Sequence, residues 1–357
     1  MRLLHVDTAP TWRGGQNQVL LTARGCALRG HSVAVACRAG GALESRLREA
    51  SIETHPIAFR GDLSPLAALA LAHAMRVFRP EVVHLHDPHA ISAGLMASRL
   101  QGGGRLVATR RVDFPLHGSL SRRKYRSCAR VIAVSRAIAA ILEGSGIPAS
   151  RVRLVYEGVP ARDPPPGGAE VLAALGVPPG SPVVGNVAAL TDHKDHATLL
   201  ESAPLVLARI PEARFVAVGD GELRPALEAR AAALGLADRW IWTGFRRDVD
   251  ALLPCFAVFC LSSQSEGLGT SLLDAMNFGR AVVATAAGGI AEAVEDGVTG
   301  RVVPVKDPRA LADALVDVLA DPSRREAMGR AGRRRFEERF TVERMVEETV
   351  RVYEEPA

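Results

Sequence analysis

The stretch CFAVFCLSSQSEGLGTSLLDAMNFGRAVVAT, residues 255–285, holds two apolar segments separated by a loop and a helical pattern. CFAVFCL (255–261) and RAVVAT (280–285) are short and hydrophobic on alternate and adjacent positions alike, which is typical of strands buried on both faces. The glycines and serines between them predict a loop that leads into a crossover helix. The stretch therefore predicts one β-α-β unit of a parallel sheet.

The same alternation extends through both halves of the chain. In the second half, further strands are predicted at 181–190 (SPVVGNVAAL), 214–219 (RFVAVG) and 239–244 (RWIWTG). In the first half, they are predicted at 3–6 (LLHV), 32–37 (SVAVAC), 81–86 (EVVHLH), 104–110 (GRLVATR) and 130–135 (RVIAVS), with a helix from Gln16 to Leu28. Strands that alternate with helices predict the α/β class with doubly wound sheets.

A segment rich in proline and glycine, VPARDPPPGGAE (159–170), interrupts this alternation. Prolines and glycines clustered in this way predict a linker. In addition, 357 residues are too many for a single hydrophobic core of average size. We therefore predict one domain over residues 1–160, a second over 161–340, and a C-terminal helix over 341–357.

Composition excludes several classes of protein. Aromatic residues make up only 4% of the chain, which argues against a surface that stacks on nucleic-acid bases. The five cysteines show no CxxC spacing, so neither a zinc site nor a disulfide framework is expected. The N-terminus lacks the pattern of a signal peptide, and no apolar run is long enough to span a membrane. These features predict a cytoplasmic protein without a nucleic-acid partner.

Charge is distributed unevenly along the chain. Residues 1–160 contain 22 Lys and Arg against 10 Asp and Glu, whereas residues 161–357 contain 22 against 29. A dense basic segment, TRRVDFPLHGSLSRRKYRSCAR (109–130), includes Arg110 and Arg111 directly after a predicted strand. These arginines could hold an anionic acceptor or lie near phospholipid headgroups at the inner membrane face. The alternative is a set of solvated surface arginines.

Two stretches of the first half follow predicted strands, at the edge where open α/β sheets bind ligands. Gly14 and Gly15 precede a helix whose N-terminus could receive an anion, although a Gly-Gly pair is also a common turn. His84 and His86 fall on one side of a strand end, where His86 could orient a substrate or transfer a proton. A satisfied core histidine is the alternative, and without matching Cys or carboxylate residues no metal site is expected.

The second half has its own set of polar residues after strands. Lys194 is the cation best placed for a phosphate, and Gly219 and Gly221 suggest a turn that faces a ligand. Glu266 lies in the loop after the strand at 255–261, and Asp274 follows eight residues later, where it could accept from two vicinal hydroxyls. Backbone N–H groups between these acids could bind phosphate, so the set predicts a sugar nucleotide as ligand.

These motifs together resemble a known family. EGLGTSLLDAM (266–276), AGGIAEAVEDGVTGRVV (287–303), VGDGEL (218–223) and TGFRRDV (243–249) match, in order and spacing, the retaining GT-B glycosyltransferases of the family 4 type. The resemblance covers essentially the whole chain. It implies two Rossmann-like domains that face a cleft, with the acceptor bound by the N-terminal domain and the nucleotide-sugar donor by the C-terminal domain.

The resemblance also implies roles for individual residues. His86 would lie beside the transferred sugar, Lys194 would contact the diphosphate, and Glu266 would contact sugar hydroxyls. The implied donor-binding residues are Gly14, Gly15, Gly219, Gly221, Phe245, Gly267, Leu268, Gly269, Thr270, Ser271, Leu272 and Asp274. Family members transfer the sugar with retention, and the cation and loop amides could stabilise the leaving diphosphate without a metal or cofactor.

The sequence departs from the family pattern at two positions. The second acid is usually Glu and is here Asp274, and the arginine that commonly accompanies the lysine is here Ala189. Arg13 or His193 could supply the missing charge. The expected reaction is transfer of a hexose from a UDP-sugar, or next from GDP-mannose, to a glycolipid or polysaccharide acceptor. A sugar-nucleotide epimerase on the same fold and a non-catalytic sugar-nucleotide-binding protein are the alternatives.

Overall fold

The computed structural model describes residues 1–59 and 64–356, and the chain divides into two compact units. Unit 1 comprises Met1–Val159 and Thr341–Ala357, and unit 2 comprises Pro160–Phe340. The chain therefore leaves unit 1 at the start of the proline-rich segment and returns to it for its last helix. The assignment of donor and acceptor to particular domains stays a prediction.

Strands and helices alternate along most of the described chain. In chain order the strands are β1 (Arg2–Asp7), β2 (Ser32–Arg38), β3 (Glu53–Ile57), β4 (Val82–Leu85), β5 (Arg105–Arg110), β6 (Arg130–Ala133), β7 (Val152–Leu154), β8 (Val183–Val187), β9 (Arg214–Val218), β10 (Trp240–Gly244), β11 (Val258–Leu261), β12 (Ala281–Thr285) and β13 (Gly300–Val303). The helices are α1 (Gly14–Leu28), α2 (Ala42–Glu49), α3 (Pro65–Phe78), α4 (Pro88–Gln101), α5 (Gly118–Arg126), α6 (Arg136–Gly144), α7 (Gly168–Ala174), α8 (His196–Leu207), α9 (Arg224–Ala233), α10 (Val249–Leu252), α11 (Thr270–Asn277), α12 (Ile290–Ala293), α13 (Pro308–Ala320), α14 (Pro322–Arg339) and α15 (Val342–Glu354). Single turns of 3-10 helix lie at Ala149–Arg151, Asp192–Lys194 and Leu253–Cys255.

The sheet of unit 1 is entirely parallel in its described strands, which are ordered β3-β2-β1-β4-β5-β6-β7. The strand order reverses between β1 and β4, and ligands of open α/β sheets bind beyond the carboxyl ends of the strands at such a switch point. The first turn of α1, with Gly14 and Gly15, follows the loop after β1, and His86 directly follows β4. The topology thus brings two separate predicted stretches to one edge of the sheet.

The sheet of unit 2 repeats this arrangement, with described strands in the order β10-β9-β8-β11-β12-β13. Its switch point lies between β8 and β11, and the loops after these strands carry Lys194 and Glu266. A side chain at Gly185 of β8 would overlap the ring of Phe256, so the glycine allows the segment before β11 to pack against the strand.

The last helix, α15, packs within unit 1. Val346 lies where a side chain on Gly25 of α1 would be, so the two helices approach closely. The Tyr353 hydroxyl hydrogen-bonds to Nδ1 of His84 on β4 at 2.6 Å. Burial of Met345, Val346 and Tyr353 against the β1 and β2 side of the sheet supplies apolar area that residues 1–159 alone would leave exposed.

Three strands are absent from the sequence prediction, namely β3, β7 and β13. Each is at an edge of its sheet, and each is partly exposed. An edge strand does not need apolar residues on both faces, and β7 has only three residues. Helix α1 also begins at Gly14, two positions before the predicted start, since the structure includes both glycines in its first turn.

Candidate functional site

The loop between β11 and α11 in unit 2 positions the predicted Glu266. The Glu266 side chain is buried, with 9% of it exposed, while Gly269 occupies the position before the helix with φ +84. A Cβ on Gly269 would press against Leu261 and Leu272, and the positive φ is costly for other residues. The N–H groups of Thr270 and Ser271 precede the first hydrogen bond of α11, which the Leu272 N–H donates to the Gly269 oxygen at 3.0 Å, so these two groups can face an anion.

Lys194 and Glu266, which are far apart in sequence, form an ion pair. Lys194 Nζ lies 2.5 Å from Glu266 Oε1, and the Ser263 hydroxyl donates to the same oxygen at 2.7 Å. The Ser262 hydroxyl donates to the backbone oxygens of Lys194 and Asp195, at 3.2 and 2.9 Å, and ties the two loops together. The sequence analysis did not identify Ser262 and Ser263. Their position directly after β11 was the only signal that could have found them.

Gly219 and Gly221 lie in the loop after β9, where they approach another part of the chain. A Cβ on Gly219 would overlap the backbone oxygen of Ala188, and one on Gly221 would overlap that of Leu190. The Leu190 N–H donates to the oxygen of Asp220 at 3.0 Å. The glycines therefore allow their loop to pack closely against the loop after β8, which carries Lys194. From the sequence, a close approach to a ligand was expected instead.

Asp274, on α11, is engaged by an arginine that the sequence analysis did not single out. Arg162 donates to Oδ1 of Asp274 at 2.7 Å and to Oδ2 of Asp250 at 2.5 Å. The backbone N–H of Arg162 donates to Oδ1 of Asn277 at 3.2 Å, and Nδ2 of Asn277 donates to the backbone oxygen of Arg162 at 3.1 Å. Burial raises the pKa of Asp274 to about 7, against the opposing effect of Arg162. Any hydroxyl bound by Asp274 thus shares the carboxyl group with Arg162.

Phe245 follows β10 and exposes 65% of its surface. Its neighbour Arg246 is held by Asp248 through two hydrogen bonds at 2.8 and 2.5 Å, which restrains the loop. An exposed aromatic ring on a restrained loop can stack on a planar ligand. Phe245 is therefore a suitable group for a nucleotide base.

Three buried histidines lie together in unit 1. His5 on β1 is in register with His84 on β4, and Nδ1 of His5 is 2.9 Å from Nε2 of His86. The nitrogens of His84 contact the hydroxyls of Tyr353 and Thr109 at 2.6 and 2.5 Å. One nitrogen from each ring falls within 4.8 Å of the others, so the group could in principle hold a metal ion. The sequence analysis missed His5, although its central position in LLHV was a signal.

The surroundings of the three histidines suit hydrogen bonds between the rings better than they suit binding of a metal cation. Arg111 approaches Nδ1 of His86 at 3.3 Å, donates to the His86 backbone oxygen at 3.2 Å and pairs with Glu157 at 2.8 Å. Burial lowers the pKa of His5 to about 3 and that of His84 and His86 well below the usual range, and Arg111 lowers all three further. A fixed positive charge beside neutral rings opposes binding of a second cation.

The same contacts define the proton positions on two rings. A guanidinium only donates, so Nδ1 of His86 accepts from Arg111 and the ring proton resides on Nε2. That proton is then donated to Nδ1 of His5, which leaves the proton of His5 on its Nε2. Both nitrogens of His86 are thus committed to the protein, and the ring can orient neighbouring groups more readily than it can exchange a proton.

Arg110 and Arg111 have different surroundings although they are adjacent. Arg110 is 2% exposed, and its guanidinium hydrogen-bonds to the Phe114 backbone oxygen and, at 3.4 Å, to the Tyr125 hydroxyl. The sequence analysis expected Arg110 to bind an acceptor, but the structure turns it into the interior, where it fixes the segment after β5. Arg111, which touches His86, is the arginine of the pair that lies beside predicted site residues.

Gly14 and Gly15 begin α1, and the first turn is held by side chains. The Arg13 N–H donates to Oε1 of Gln16 at 3.2 Å, and Nε2 of Gln16 donates to Asp7 at 3.1 Å. A Cβ on Gly15 would meet nothing closer than Arg111 at 3.9 Å. Packing of the chain does not require a glycine here, unlike at Gly219, so the space beside Gly15 is open to a ligand.

Asp7 is a buried carboxyl at the end of β1. Burial and the neighbouring Asp87 raise its pKa to about 6, while hydrogen bonds from Gln16 and Ala9 oppose the shift. A carboxyl whose pKa is raised on folding binds a proton more tightly in the folded state. It therefore stabilises the fold at low pH, and this contribution is lost as the pH rises through about 6.

We expect the substitution Asp7→Asn to remove this pH dependence. Relative to the variant, the native chain should lose up to about 3 kcal/mol of unfolding free energy as pH rises from about 4 to about 6.5. Urea unfolding of both proteins at several pH values measures the difference, with Glu49→Gln, an exposed acid on α2, as the control. Parallel pH profiles for Asp7→Asn and the native chain would contradict the assigned shift.

The family models that match the chain identify its class, the glycosyltransferases. The family described as Glycosyltransferase Family 4 matches residues 12–163, and Glycosyl transferases group 1 matches residues 170–335. The chain belongs to this family of GT-B transferases of the family 4 type, as the resemblance predicted. Because the two matches cover most of both units, membership of this family of glycosyltransferases is confirmed.

Individual relatives agree with this assignment. A 2-deoxystreptamine N-acetyl-D-glucosaminyltransferase from Streptomyces fradiae is 31% identical over 295 residues, which are 71% of this chain and 66% of the relative. A GDP-mannose-dependent phosphatidylinositol monomannoside mannosyltransferase from Mycolicibacterium smegmatis is 36% identical over 43% of this chain and 42% of its own. The chain thus matches less than two thirds of the length of either relative.

Solved structures of similar proteins share the fold. HepE from Anabaena, in complex with UDP and glucose, superposes with a TM-score of 0.86 at 22% identity over 98% of both chains. A glycosyltransferase from Rickettsia africae superposes with a TM-score of 0.86 at 18% identity over 98% of this chain and 97% of its own. Both likenesses confirm the predicted fold class.

Proposed function

We propose that this protein transfers a hexose from a nucleotide sugar to a glycolipid or polysaccharide acceptor, with retention and without a metal ion. One observation carries the proposal. The ion pair of Lys194 and Glu266, with Ser263 on the same carboxylate oxygen, lies beside the N-terminus of α11 at the switch point of unit 2. A cation, a hydroxyl-accepting carboxylate and free backbone N–H groups are the groups that a sugar diphosphate requires.

A UDP-sugar is the favoured donor, and GDP-mannose comes next. HepE was solved in complexes with UDP and with UDP-glucose, which supports the first choice. The mannosyltransferase from Mycolicibacterium smegmatis is described as dependent on GDP-mannose, which supports the second. In our proposal the base stacks on Phe245, and the ribose reaches Asp274, whose carboxyl group is shared with Arg162.

The proposed chemistry depends on charge that grows on the leaving diphosphate. Lys194 and the first N–H groups of α11 stabilise that charge, which makes departure of the nucleoside diphosphate possible without a metal. Glu266 accepts from sugar hydroxyls and, through its ion pair, aims the ammonium of Lys194. The diphosphate must compete with Glu266 for Lys194, so binding of the donor replaces one charge partner with another.

For the acceptor, unit 1 supplies groups of a different kind. His86 is neutral and held on both nitrogens, so we assign it an orienting role beside the transferred sugar. Arg111 and the open space at Gly15 can receive an anionic group. The relatives differ here, since one name gives 2-deoxystreptamine and the other a phosphatidylinositol mannoside as acceptor. We favour a lipid-linked acceptor because unit 1 is strongly basic.

A basic and apolar surface on unit 1 supports contact with an anionic membrane. Helix α5 exposes Arg122, Arg123 and Arg126, and the nearby Phe114 and Leu120 expose 52% and 58% of their surface. Exposed apolar groups flanked by arginines are suited to the headgroup region of a bilayer. None of the helices in the described part of the chain combines the length and apolarity needed to cross one. We therefore propose peripheral association at the cytoplasmic face.

The experiment that tests the function measures nucleoside diphosphate release from a panel of UDP- and GDP-sugars, with lipid-linked and aminocyclitol acceptors. We expect release from one donor that depends on an acceptor and persists in EDTA. Loss of release in EDTA would contradict metal independence. Conversion of the donor sugar without an acceptor would support an epimerase, and saturable donor binding without any turnover would support a non-catalytic binding protein.

A further inference from the structure

Unit 1 contains a cavity whose lining includes none of the candidate site residues described above. It has a volume of about 470 Å³, and we call it the arginine cavity. Its described lining consists of Leu95, Ser98, Arg99, Arg105, Leu106, Ser127, Cys128, Ala129, Arg130 and Arg151. Arg105 and Arg130 are the first residues of β5 and β6, so the cavity lies at the amino ends of these strands. His86 and Arg111 follow the opposite ends of β4 and β5.

Positive charge in the arginine cavity exceeds the negative charge around it. The described lining has four arginines and no acid. One nearby carboxylate, Glu355, is shared between Arg130 at 2.6 Å and Arg153 at 2.7 Å. Within the part of the chain that the structure describes, no carboxylate forms an ion pair with Arg99, Arg105 or Arg151.

Helix ends offset only part of this charge. Helices α4 and α5 both end beside the cavity, and each helix C-terminus carries about half a negative charge. Arg151 donates to the backbone oxygens of Arg126 and Cys128, which is the ordinary role of a cation at such a terminus. Two helix ends supply about one unit of negative charge, which together with Glu355 offsets only part of the charge of the four arginines in the described lining.

Arg105 shows the consequence of this imbalance. Its hydrogen bond is a long one, 3.4 Å, to the backbone oxygen of Val352. Burial lowers the pKa of Arg105 and the neighbouring Arg130 lowers it further, while Glu355 opposes part of the shift. An anion in the cavity would remove this repulsion and would fill donor positions that a single backbone oxygen leaves open.

We propose that the arginine cavity binds a phosphate group of a multiply charged ligand, at a site separate from those of donor and acceptor. Arginine is the side chain suited to such a ligand, because its planar guanidinium binds two phosphate oxygens at once. The volume is sufficient for a diphosphate with part of the molecule that carries it. A soluble phosphate compound and a lipid headgroup present the same chemistry, and binding experiments distinguish them.

The test uses the full chain with the double substitution Arg99→Ala and Arg105→Ala. Arg130 and Arg151 are left in place, because Arg130 neutralises Glu355 and Arg151 donates to two backbone oxygens. Loss of Arg130 or Arg151 would therefore disturb the fold. The matched control replaces Arg24 and Arg76, exposed arginines of α1 and α3 that do not line the cavity. All proteins also carry Lys194→Ala, which removes the cation of the proposed donor site.

Calorimetry with pyrophosphate and with inorganic phosphate measures the soluble arm, and flotation with vesicles of phosphatidylglycerol and phosphatidylcholine measures the lipid arm. We expect binding in at least one arm, weakened at least about 10-fold by the cavity substitutions, because each guanidinium that is removed takes charge-assisted hydrogen bonds to phosphate with it. The control pair should bind like its parent. Equal binding by cavity variant and parent, or binding in neither arm, would overturn the proposal. Because turnover is not measured, the outcome does not depend on the proposed function.

Discussion

Replacing Lys194 with alanine should reduce turnover at least about 100-fold, the usual effect of losing one group that stabilises charge in a transition state. Lys194 is the cation held beside the N-terminus of α11, and the family's accompanying arginine is replaced by Ala189. Alanine carries no charge that could substitute for Lys194 at that position. The effect should fall mainly on kcat, because the charge on the leaving diphosphate grows only as the bond breaks.

The measurement compares nucleoside diphosphate release by native protein, Lys194→Ala and the control Lys306→Ala, an exposed lysine after β13. Lys306→Ala should retain native turnover. The thermal midpoint of Lys194→Ala should fall, because the buried Glu266 loses its partner, so turnover is compared at a temperature where both proteins are folded. A Lys194→Ala protein with full turnover would remove Lys194 from the proposed mechanism.

Substitution of Glu266 has the second large effect. Glu266→Ala should reduce turnover by about 100-fold, because Lys194 and Ser263 both lose the oxygen that aims them and small misplacements at a reacting centre are costly. Glu266→Gln keeps the shape and one acceptor oxygen but loses the charge. We expect the turnover of Glu266→Gln to lie between that of the native protein and that of Glu266→Ala, because Lys194 stays hydrogen-bonded but its charge is no longer neutralised.

The two Glu266 variants separate a positioning role from simple packing. If Glu266 binds sugar hydroxyls, KM for the donor should rise in Glu266→Ala. For donors that lack one hydroxyl, the difference in KM between native protein and variant should be smaller. If its role were only structural, both variants would lower the thermal midpoint and leave the kinetic constants of the folded fraction unchanged. That second result would contradict the assignment.

Much of the fold follows from local sequence. The central strands β1, β2, β4, β5 and β6 of unit 1, and β8, β9, β11 and β12 of unit 2, were predicted because buried strands are apolar on both faces. The edge strand β10 was predicted as well, because its residues 240–242 (WIW) are all apolar. The edge strands β3, β7 and β13 were not, because an edge strand is partly solvated and carries no such pattern. The candidate donor residues were likewise visible as glycines, acids and a lysine after strands.

The partners of those residues were not visible. Arg162, in the proline-rich segment, engages Asp274 on α11 across 112 positions of sequence. His5 joins His84 and His86 only because β1 and β4 are neighbours in the sheet. Arg110 and Arg111 have the same type of side chain, yet one is turned inward to Tyr125 and the other lies beside His86. No pattern along the chain records such contacts.

By itself, then, the sequence determined the alternation of strands and helices, the division at the proline-rich segment and the family with its glycine- and acid-containing loops, because each depends on neighbouring residues or on spacing within one element. Only the tertiary structure decided which charges are paired: Lys194 with Glu266, Asp274 with Arg162, and Arg130 with Glu355. Electrostatic energy depends on distance in space and on burial, and strand order, rather than chain order, sets both.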